Sequence, residues 1–217
     1  MPPEHRGADM QGEVQVVDDV ATAFADLVVR DQPRTLALSG GGTARRCYEV
    51  LATRSGIDWP SIAVLFGDER VVPVGHPDSN EGMARAELLD HVPVGTIHSM
   101  ATSDAERYDE LVRSLGSIDV IHLGMGPDGH TASLFPGTPA LDVVDDLVVT
   151  NEAMLEPFHP RLTLTFPGIA LGRHVVLTIE GEEKRDAWRR VRDGEDLPAG
   201  RVAAERVTWL VGRDLAG

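Results

Sequence analysis

Short apolar segments alternate with amphipathic segments along most of the chain, and turn-forming residues separate them. Segments such as Thr35–Leu38 and Ile118–Leu123 are mostly apolar and short, which predicts buried strands. The segment Asp18–Asp31 repeats apolar residues at helical spacing, with Asp18 as the expected N-cap. Alternating strands and helices of this kind predict an α/β fold, with a mostly parallel sheet and helices on both faces.

The same patterns give bounds for each element. Strands are expected at Val14–Val17, Thr35–Leu38, Ile62–Phe66, Ile118–Leu123, Leu147–Thr150, Arg161–Thr165, His174–Ile179 and Arg206–Val211. Helices are expected at Asp18–Asp31, from the turn Ser39–Thr43 to about Arg54, at Glu81–Leu89, from a cap at Ser103 to Leu115, and at Glu182–Arg192. No repeat or linker interrupts this series, so we expect one domain over residues 1–217, with residues 1–12 frayed.

Composition narrows the class of protein. A chain of 217 residues with 42% hydrophobic residues is large enough to bury one α/β core. No apolar stretch reaches the length of a membrane span, and no apolar segment follows the charged N-terminus as it does in a secretion signal. Cys47 is the only cysteine, so no internal disulfide can form and a cytoplasmic protein is expected.

The net charge of −15 argues against nucleic acid or an anionic membrane as a partner. An acidic protein also repels a phosphorylated substrate, which therefore requires a local group of positive charges. Lys184 is the only lysine beside many arginines. A surface charge on the helix is its ordinary interpretation.

The most unusual segment is Gly124–Gly137, which follows a predicted buried strand. It contains Asp128 and His130 and leaves the carboxyl end of its strand, where open α/β sheets bind ligands. The glycines match the dinucleotide pattern G-x-G-x-x-G, but Pro136 leaves room for about two helical turns at most, so that alternative is weak. On the residues alone, Asp128 and His130 could also be a turn cap and a solvated side chain.

A glycine-rich turn, Ser39–Thr43, lies between a strand and a helix. Gly40, Gly41 and Gly42 let the backbone approach a ligand closely, and a helix N-terminus offers free N–H groups to a phosphate. The turn lacks the Gly-Lys-Ser/Thr of a nucleoside triphosphate site. A tight connection between strand and helix is the alternative interpretation.

Two further groups of charged residues follow predicted strands. Asp68, Glu69 and Arg70 come directly after an apolar strand, where a solvated ion pair is the alternative to a functional site. Arg161 alternates with Thr163 on one face of a predicted strand, and a half-exposed strand would explain it equally well.

The segment Asp128–Pro136 resembles the 6-phosphogluconolactonase family, a branch of the glucosamine-6-phosphate isomerase/deaminase superfamily. The resemblance extends over nearly the whole chain through the four motifs above, although Gly42 stands where the family has a second hydroxyl residue. The deaminase branch carries a catalytic Glu five residues after the His, where this chain has Phe135, and usually an aromatic residue where this chain has Arg70. The resemblance therefore favours the lactonase branch and implies a modified Rossmann-like fold.

The resemblance implies hydrolysis of 6-phospho-D-glucono-1,5-lactone to 6-phosphogluconate, in the oxidative pentose phosphate pathway. His130 is the expected general base, because an imidazole titrates near neutral pH. Asp128 would orient the site, and Arg70 with backbone N–H groups would contact the oxyanion or hydroxyls. The expected substrate and phosphate ligands are Gly40, Gly41, Gly42, Thr43, Asp68, Arg161 and Lys184.

No metal or organic cofactor is expected for this chemistry. The remaining histidines show no metal-ligand spacing and are interpreted as ordinary core or surface residues, namely His5, His76, His91, His98, His122, His159 and His174. An amino-sugar phosphate isomerase/deaminase and a non-catalytic sugar-phosphate sensor stay open as alternatives. The sequence leaves the oligomeric state undetermined, with a monomer favoured.

Overall fold

The computed structural model describes residues 10–216. Seven parallel strands form the main sheet in the order β1-β10-β9-β6-β2-β3-β5. Their bounds are β1 Glu13–Val17, β2 Thr35–Leu38, β3 Ala63–Phe66, β5 Thr96–Ile97, β6 Ile118–Gly124, β9 Gly172–Ile179 and β10 Arg206–Gly212. A smaller antiparallel sheet has the order β4-β8-β7, formed by β4 Asp68–Arg70, β7 Val148–Asn151 and β8 Arg161–Leu164.

Helices flank the main sheet and connect its strands. They are α1 Val20–Asp31, α2 Gly42–Ala52, α3 Asn80–Ala84, α4 Ala105–Leu115, α5 Phe166–Ala170 and α6 Arg185–Arg192. Consecutive residues of β9 and β10 are buried, as expected for strands covered on both faces. The predicted α/β architecture with a mostly parallel sheet is confirmed. None of the described helices is long and apolar enough to cross a membrane.

The strand order brings the loops of the candidate site together. β2 and β6 are neighbours, and the chain continues from β2 toward one edge of the sheet and from β6 toward the other. The carboxyl ends of parallel strands meet at one edge, and a reversal of strand order there opens a crevice. The loops that follow β9, β6, β2 and β3 therefore all begin at the same edge.

Several predicted boundaries differ from the structure. The N-cap of α1 is Asp19, whose carboxylate accepts the N–H of Thr22, whereas Asp18 pairs with Arg213. The N-cap of α4 is likewise Asp104 instead of Ser103. In both places two adjacent residues have side chains able to cap, so composition alone could not decide between them.

Other differences come from pairing between distant segments. Residues 68–70 were expected only to follow a strand, but they form β4 because they pair with β8. The strand β5 was not predicted, because two residues are too few to give a periodic signal. All four residues of β8 are buried, so the half-exposed strand is wrong. Fraying was expected at residues 1–12, of which residues 1–9 lie outside the described part of the chain. Gln11, in contrast, is hydrogen-bonded to Ala204 and Trp209.

One partly buried carboxylate joins α4 to the small sheet. Asp109 accepts the backbone N–H groups of Leu147 at 2.5 Å and Val148 at 3.1 Å, and it pairs with Arg113. Burial alone would raise the pKa of Asp109, but these donors outweigh it and hold the pKa below its usual value. The ionised form of Asp109 therefore stabilises the folded state.

We expect Asp109→Asn to lower the free energy of unfolding by about 1–2 kcal/mol at pH 7, because donors to a charged acceptor lose strength when it becomes neutral. A depressed pKa contributes stability above the ordinary carboxyl value of about 3.9 and loses it as the pH falls further. Urea unfolding of both proteins from pH 7 to about pH 3 should show the difference shrinking. Glu110→Gln, an exposed change on the same helix, is the control, and a pH-independent difference would contradict the assignment.

Candidate active site

A cavity of about 280 Å³ opens at the carboxyl edge of the sheet, where the four loops meet. Most of the sequence-predicted site residues line it. The full lining consists of Ser39, Gly40, Gly41, Gly42, Thr43, Ala44, Asp68, Arg70, Asn80, Gly124, Met125, Gly126, His130, Ala132, Glu183 and Lys184. Ligand pockets for drug-sized molecules usually measure 300–1,000 Å³, so this cavity suits a small ligand.

His130 and Asp128 form the central pair of the site. His130 Nδ1 lies 2.5 Å from Asp128 Oδ1, which also accepts the His130 backbone N–H at 3.1 Å. Burial alone would raise the pKa of Asp128, but the hydrogen bond and the charge of His130 hold it below its usual value. An ionised carboxylate can only accept, so it retains a proton on Nδ1 and leaves Nε2 as the basic nitrogen.

The loop around this pair is tightly closed. A Cβ atom at Gly126 would lie 2.1 Å from His130 Cε1, so only glycine leaves room for the imidazole at this position. Thr131 Oγ1 donates to the carbonyl of Gly124, and Ala132 turns the chain at a φ of 48°. A positive φ at alanine is costly and is held in place by the surrounding contacts. The imidazole thus has little freedom to leave its position.

Ser133 connects the central loop to the small sheet. Its hydroxyl donates to Asp68 Oδ2 at 2.7 Å, and its backbone N–H donates to Thr163 Oγ1 at 3.1 Å. Asp68 also receives the side-chain amide of Asn80, both at its backbone oxygen and at Oδ1. Asp68 is therefore both a wall of the cavity and the junction between two of its loops.

Glu69 has a structural role. It is 1% exposed and accepts the N–H groups of Arg70, Asn80 and Glu81, the last two at the start of α3. Ser79 adds a fourth hydrogen bond to Glu69. Burial raises the pKa of Glu69 despite these donors. The carboxylate shapes the backbone that follows β4 and does not line the cavity.

The two arginines expected at the site have different surroundings. Arg70 lines the cavity and donates through Nη1 to the carbonyl of Asp78 at 2.6 Å. Arg161 lies opposite Arg70 in the antiparallel pairing, but it is 3% exposed and donates to the carbonyl of Pro157. Burial and then the charge of Arg70 lower the pKa of Arg161. Arg161 does not line the cavity, so its expected contact with a phosphate stays a prediction.

The glycine-rich turn also lines the cavity. Gly41 adopts a φ of 94°, which favours glycine, and α2 begins at the next residue. Lys184 Nζ lies 3.3 Å from Thr43 Oγ1, so the only lysine of the chain stands beside the N-terminus of α2. Burial lowers the pKa of Lys184, while Glu183 and Glu180 oppose that change. An amine and a helix N-terminus side by side are suited to bind a phosphate.

A buried polar network that gives no signal in the local sequence supports this turn. The Tyr48 hydroxyl accepts the N–H of Ser39 at 2.6 Å and lies 3.0 Å from His122 Nδ1, while His122 Nε2 contacts Thr178 Oγ1. Burial lowers the pKa of His122 to about 3, so the imidazole is neutral and stacks on Phe24. Nothing in the local sequence pairs these residues, because they come from four different elements.

The loop after β6 lacks the helix that dinucleotide binding requires. Residues 125–138 contain no helix, so no helix N-terminus follows Gly129 to hold a pyrophosphate. Phe135 is 3% exposed, and its ring lies 4.6 Å from that of His130. An apolar ring thus packs against the imidazole at the position where the deaminase branch carries its glutamate.

Tyr48→Phe is expected to free the amide of Ser39, because the phenyl ring keeps its shape but loses the acceptor. Hydrogen exchange at the Ser39 N–H should accelerate, and the free energy of unfolding should fall by about 1–3 kcal/mol for the groups left unpaired. Tyr108 provides a matched control, since its hydroxyl accepts the N–H of Phe66 at 2.8 Å. Tyr108→Phe should affect Phe66 and leave Ser39 unchanged, and the opposite pattern would refute the assignment.

Comparisons with known proteins identify related sequences and folds. The 6-phosphogluconolactonase of Synechocystis is 38% identical over 88% of this chain and 87% of its own length. The crystal structure of 6-phosphogluconolactonase from Thermotoga maritima has a TM-score of 0.81 and 28% identity, covering 94% of this chain and 100% of that chain.

The fold alone does not separate the two branches. A monomeric glucosamine-6-phosphate deaminase also has a TM-score of 0.81, with 21% identity over 94% of this chain and 98% of that chain. The sequence profile described as glucosamine-6-phosphate isomerases/6-phosphogluconolactonase matches residues 11–209. The chain therefore belongs to the glucosamine-6-phosphate isomerase/6-phosphogluconolactonase family.

Proposed function

We propose that this protein hydrolyses 6-phospho-D-glucono-1,5-lactone to 6-phosphogluconate, the step that follows glucose-6-phosphate oxidation in the pentose phosphate pathway. The observation that carries the proposal is the His130–Asp128 pair in one small cavity with Lys184 and the N-terminus of α2. A base and a phosphate site in one cavity match a sugar ester with one anionic end.

In the proposed reaction, Nε2 of His130 takes a proton from water as the water oxygen attacks the lactone carbonyl. Asp128 holds the imidazole by Nδ1 and stabilises the imidazolium that forms. Charge develops on the carbonyl oxygen, and Arg70 is the cationic group of the cavity available to stabilise it. The bond from the carbonyl carbon to the ring oxygen then breaks, and the imidazolium returns its proton to that oxygen.

The phosphate would lie against Gly41, Gly42, Thr43 and Lys184. The positive charge at this site is local. The whole chain carries a net charge of −15, and Glu183 and Asp68 also line the cavity. The free N–H groups at the start of α2 and the amine of Lys184 supply the attraction that the whole protein does not. We assign Arg161 to a supporting role behind Arg70.

Two features favour the lactonase over the deaminase. Phe135 packs against His130 and cannot transfer protons, and Arg70 replaces the aromatic residue expected in the deaminase branch. We propose a monomer as the functional unit, since His130, Arg70 and Lys184 line one cavity. The proposed compartment is the cytosol, in keeping with a single buried Cys47 and no disulfide.

His130→Ala should reduce lactone hydrolysis by about 10²–10⁴-fold without changing the fold, since it removes the general base. Turnover is measured by rapid proton release from freshly made lactone, with correction for spontaneous hydrolysis. His91→Ala, at an exposed position outside the cavity, is the matched control and should keep full activity. Near-normal turnover in His130→Ala would remove the base assignment, and no turnover by the wild type would favour a non-catalytic sensor.

Lys184→Met should raise KM by roughly 10–100-fold and change kcat little, because a phosphate ligand contributes equally to substrate and transition state. Arg185→Met is the control, because Arg185 is adjacent to Lys184 in sequence but pairs with Glu182 and does not line the cavity. An unchanged KM in Lys184→Met would mean that the phosphate binds elsewhere.

A further inference from the structure

The fold assembles a second group of ligand-type side chains outside the cavity. His76 and Asp78 lie in the loop between β4 and α3, and His159 lies in the loop between β7 and β8. Asp78 and His159 are 81 positions apart in sequence, so their spacing gives no metal-binding pattern. None of the three lines the cavity that holds His130.

The distances within this cluster fit a common cation. His159 Nε2 lies 2.9 Å from Asp78 Oδ2, and His76 Nδ1 lies 3.7 Å from the same oxygen. One ligand atom from each residue lies within 4.8 Å of the other two. Two ligands bound tetrahedrally to one zinc ion are about 3.4 Å apart, so small side-chain rotations would close the set.

The donor types define the class of metal. Two imidazoles and one carboxylate suit Zn²⁺ and similar borderline divalent ions better than Mg²⁺ or Ca²⁺, which prefer oxygen ligands alone. Each side chain is about one third exposed, at 37%, 36% and 31%, so a hydrated ion can reach all three. Three protein ligands leave a fourth position to water.

The surrounding hydrogen bonds leave the carboxylate available. Arg70 donates to the backbone carbonyl of Asp78 and not to its carboxylate. The His76 and His159 rings meet edge to face, with centroids 5.2 Å apart, and one nitrogen of each ring lies within 4 Å of Asp78 Oδ2. The Asp78 N–H reaches His76 Nδ1 at 3.1 Å, and a bound ion would replace this weak bond or use the other ring nitrogen.

We propose that His76, Asp78 and His159 form a binding site for Zn²⁺ or a related divalent transition metal. The ion clamps the loop after β4 to the loop before β8, which are already joined by the hydrogen bond from the Val71 N–H to the Pro160 carbonyl. It takes no part in the hydrolysis, because its ligands lie outside the cavity. Its contribution is to hold the backbone that carries the Asp78 carbonyl, the acceptor for Arg70.

The test is a titration of the full chain with Co²⁺ and then Zn²⁺, on protein prepared without a polyhistidine tag. Tetrahedral Co²⁺ gives visible absorption bands, and calorimetry with Zn²⁺ gives the stoichiometry and affinity. We expect one equivalent to bind, with affinity reduced by at least roughly 10–100-fold in His159→Ala and His76→Ala. His91→Ala and His130→Ala are matched controls and should bind as the wild type does.

A second measurement protects the test against misfolded variants. Zn²⁺ should raise the thermal midpoint of the wild type but not that of His159→Gln, whose midpoint without metal should match the wild type. Absence of binding by the wild type, or equal affinity in His159→Ala, would overturn the proposal. Loss of binding in His130→Ala alone would also overturn it, by assigning the metal to the His130–Asp128 pair.

Discussion

The parallel pairing of β9, β6, β2 and β3 is the constraint on which the candidate site depends. Because these neighbours run in one direction, the loops that follow them begin at the same edge of the sheet. The chain continues from β2 toward one edge of the sheet and from β6 toward the other, which leaves a crevice between the loops after these two strands. His130 on the loop after β6 and the glycine-rich turn after β2 line the same cavity for this reason.

A network of buried hydrogen bonds then fixes these loops relative to one another. Asp68 receives Ser133 from the central loop and Asn80 from α3, and Glu69 receives the N–H groups at the start of α3. Buried carboxylates are costly unless their acceptors are filled, so each one determines the position of several donors. The small antiparallel sheet serves mainly as the support for this framework, since β4 supplies both Asp68 and Glu69.

The charge distribution explains how an acidic protein can act on an anion. In the proposed function, short-range attraction would come from Lys184 and the first N–H groups of α2, which lie together at one small cavity. Asp128 is also negative, but its carboxylate is hydrogen-bonded to His130 Nδ1 at 2.5 Å. The exposed acidic residues elsewhere contribute to the long-range field, which salt screens over about 8–10 Å.

Much of the fold was determined by the sequence alone, because short apolar runs and helical periodicity are local properties. His130, Asp128 and the glycine-rich turn were predicted as site residues through the resemblance of their motifs to a known family, and each motif is contiguous in the sequence. Residues whose roles arise from contacts across the chain could not be predicted this way. His122 was interpreted as an ordinary core or surface residue, and the local sequence did not single out Tyr48. The pairing of Arg161 with Arg70 across β8 and β4 was likewise not predictable from the local sequence. Long-range pairing decides which neighbours a side chain meets, and only the tertiary structure contains that information.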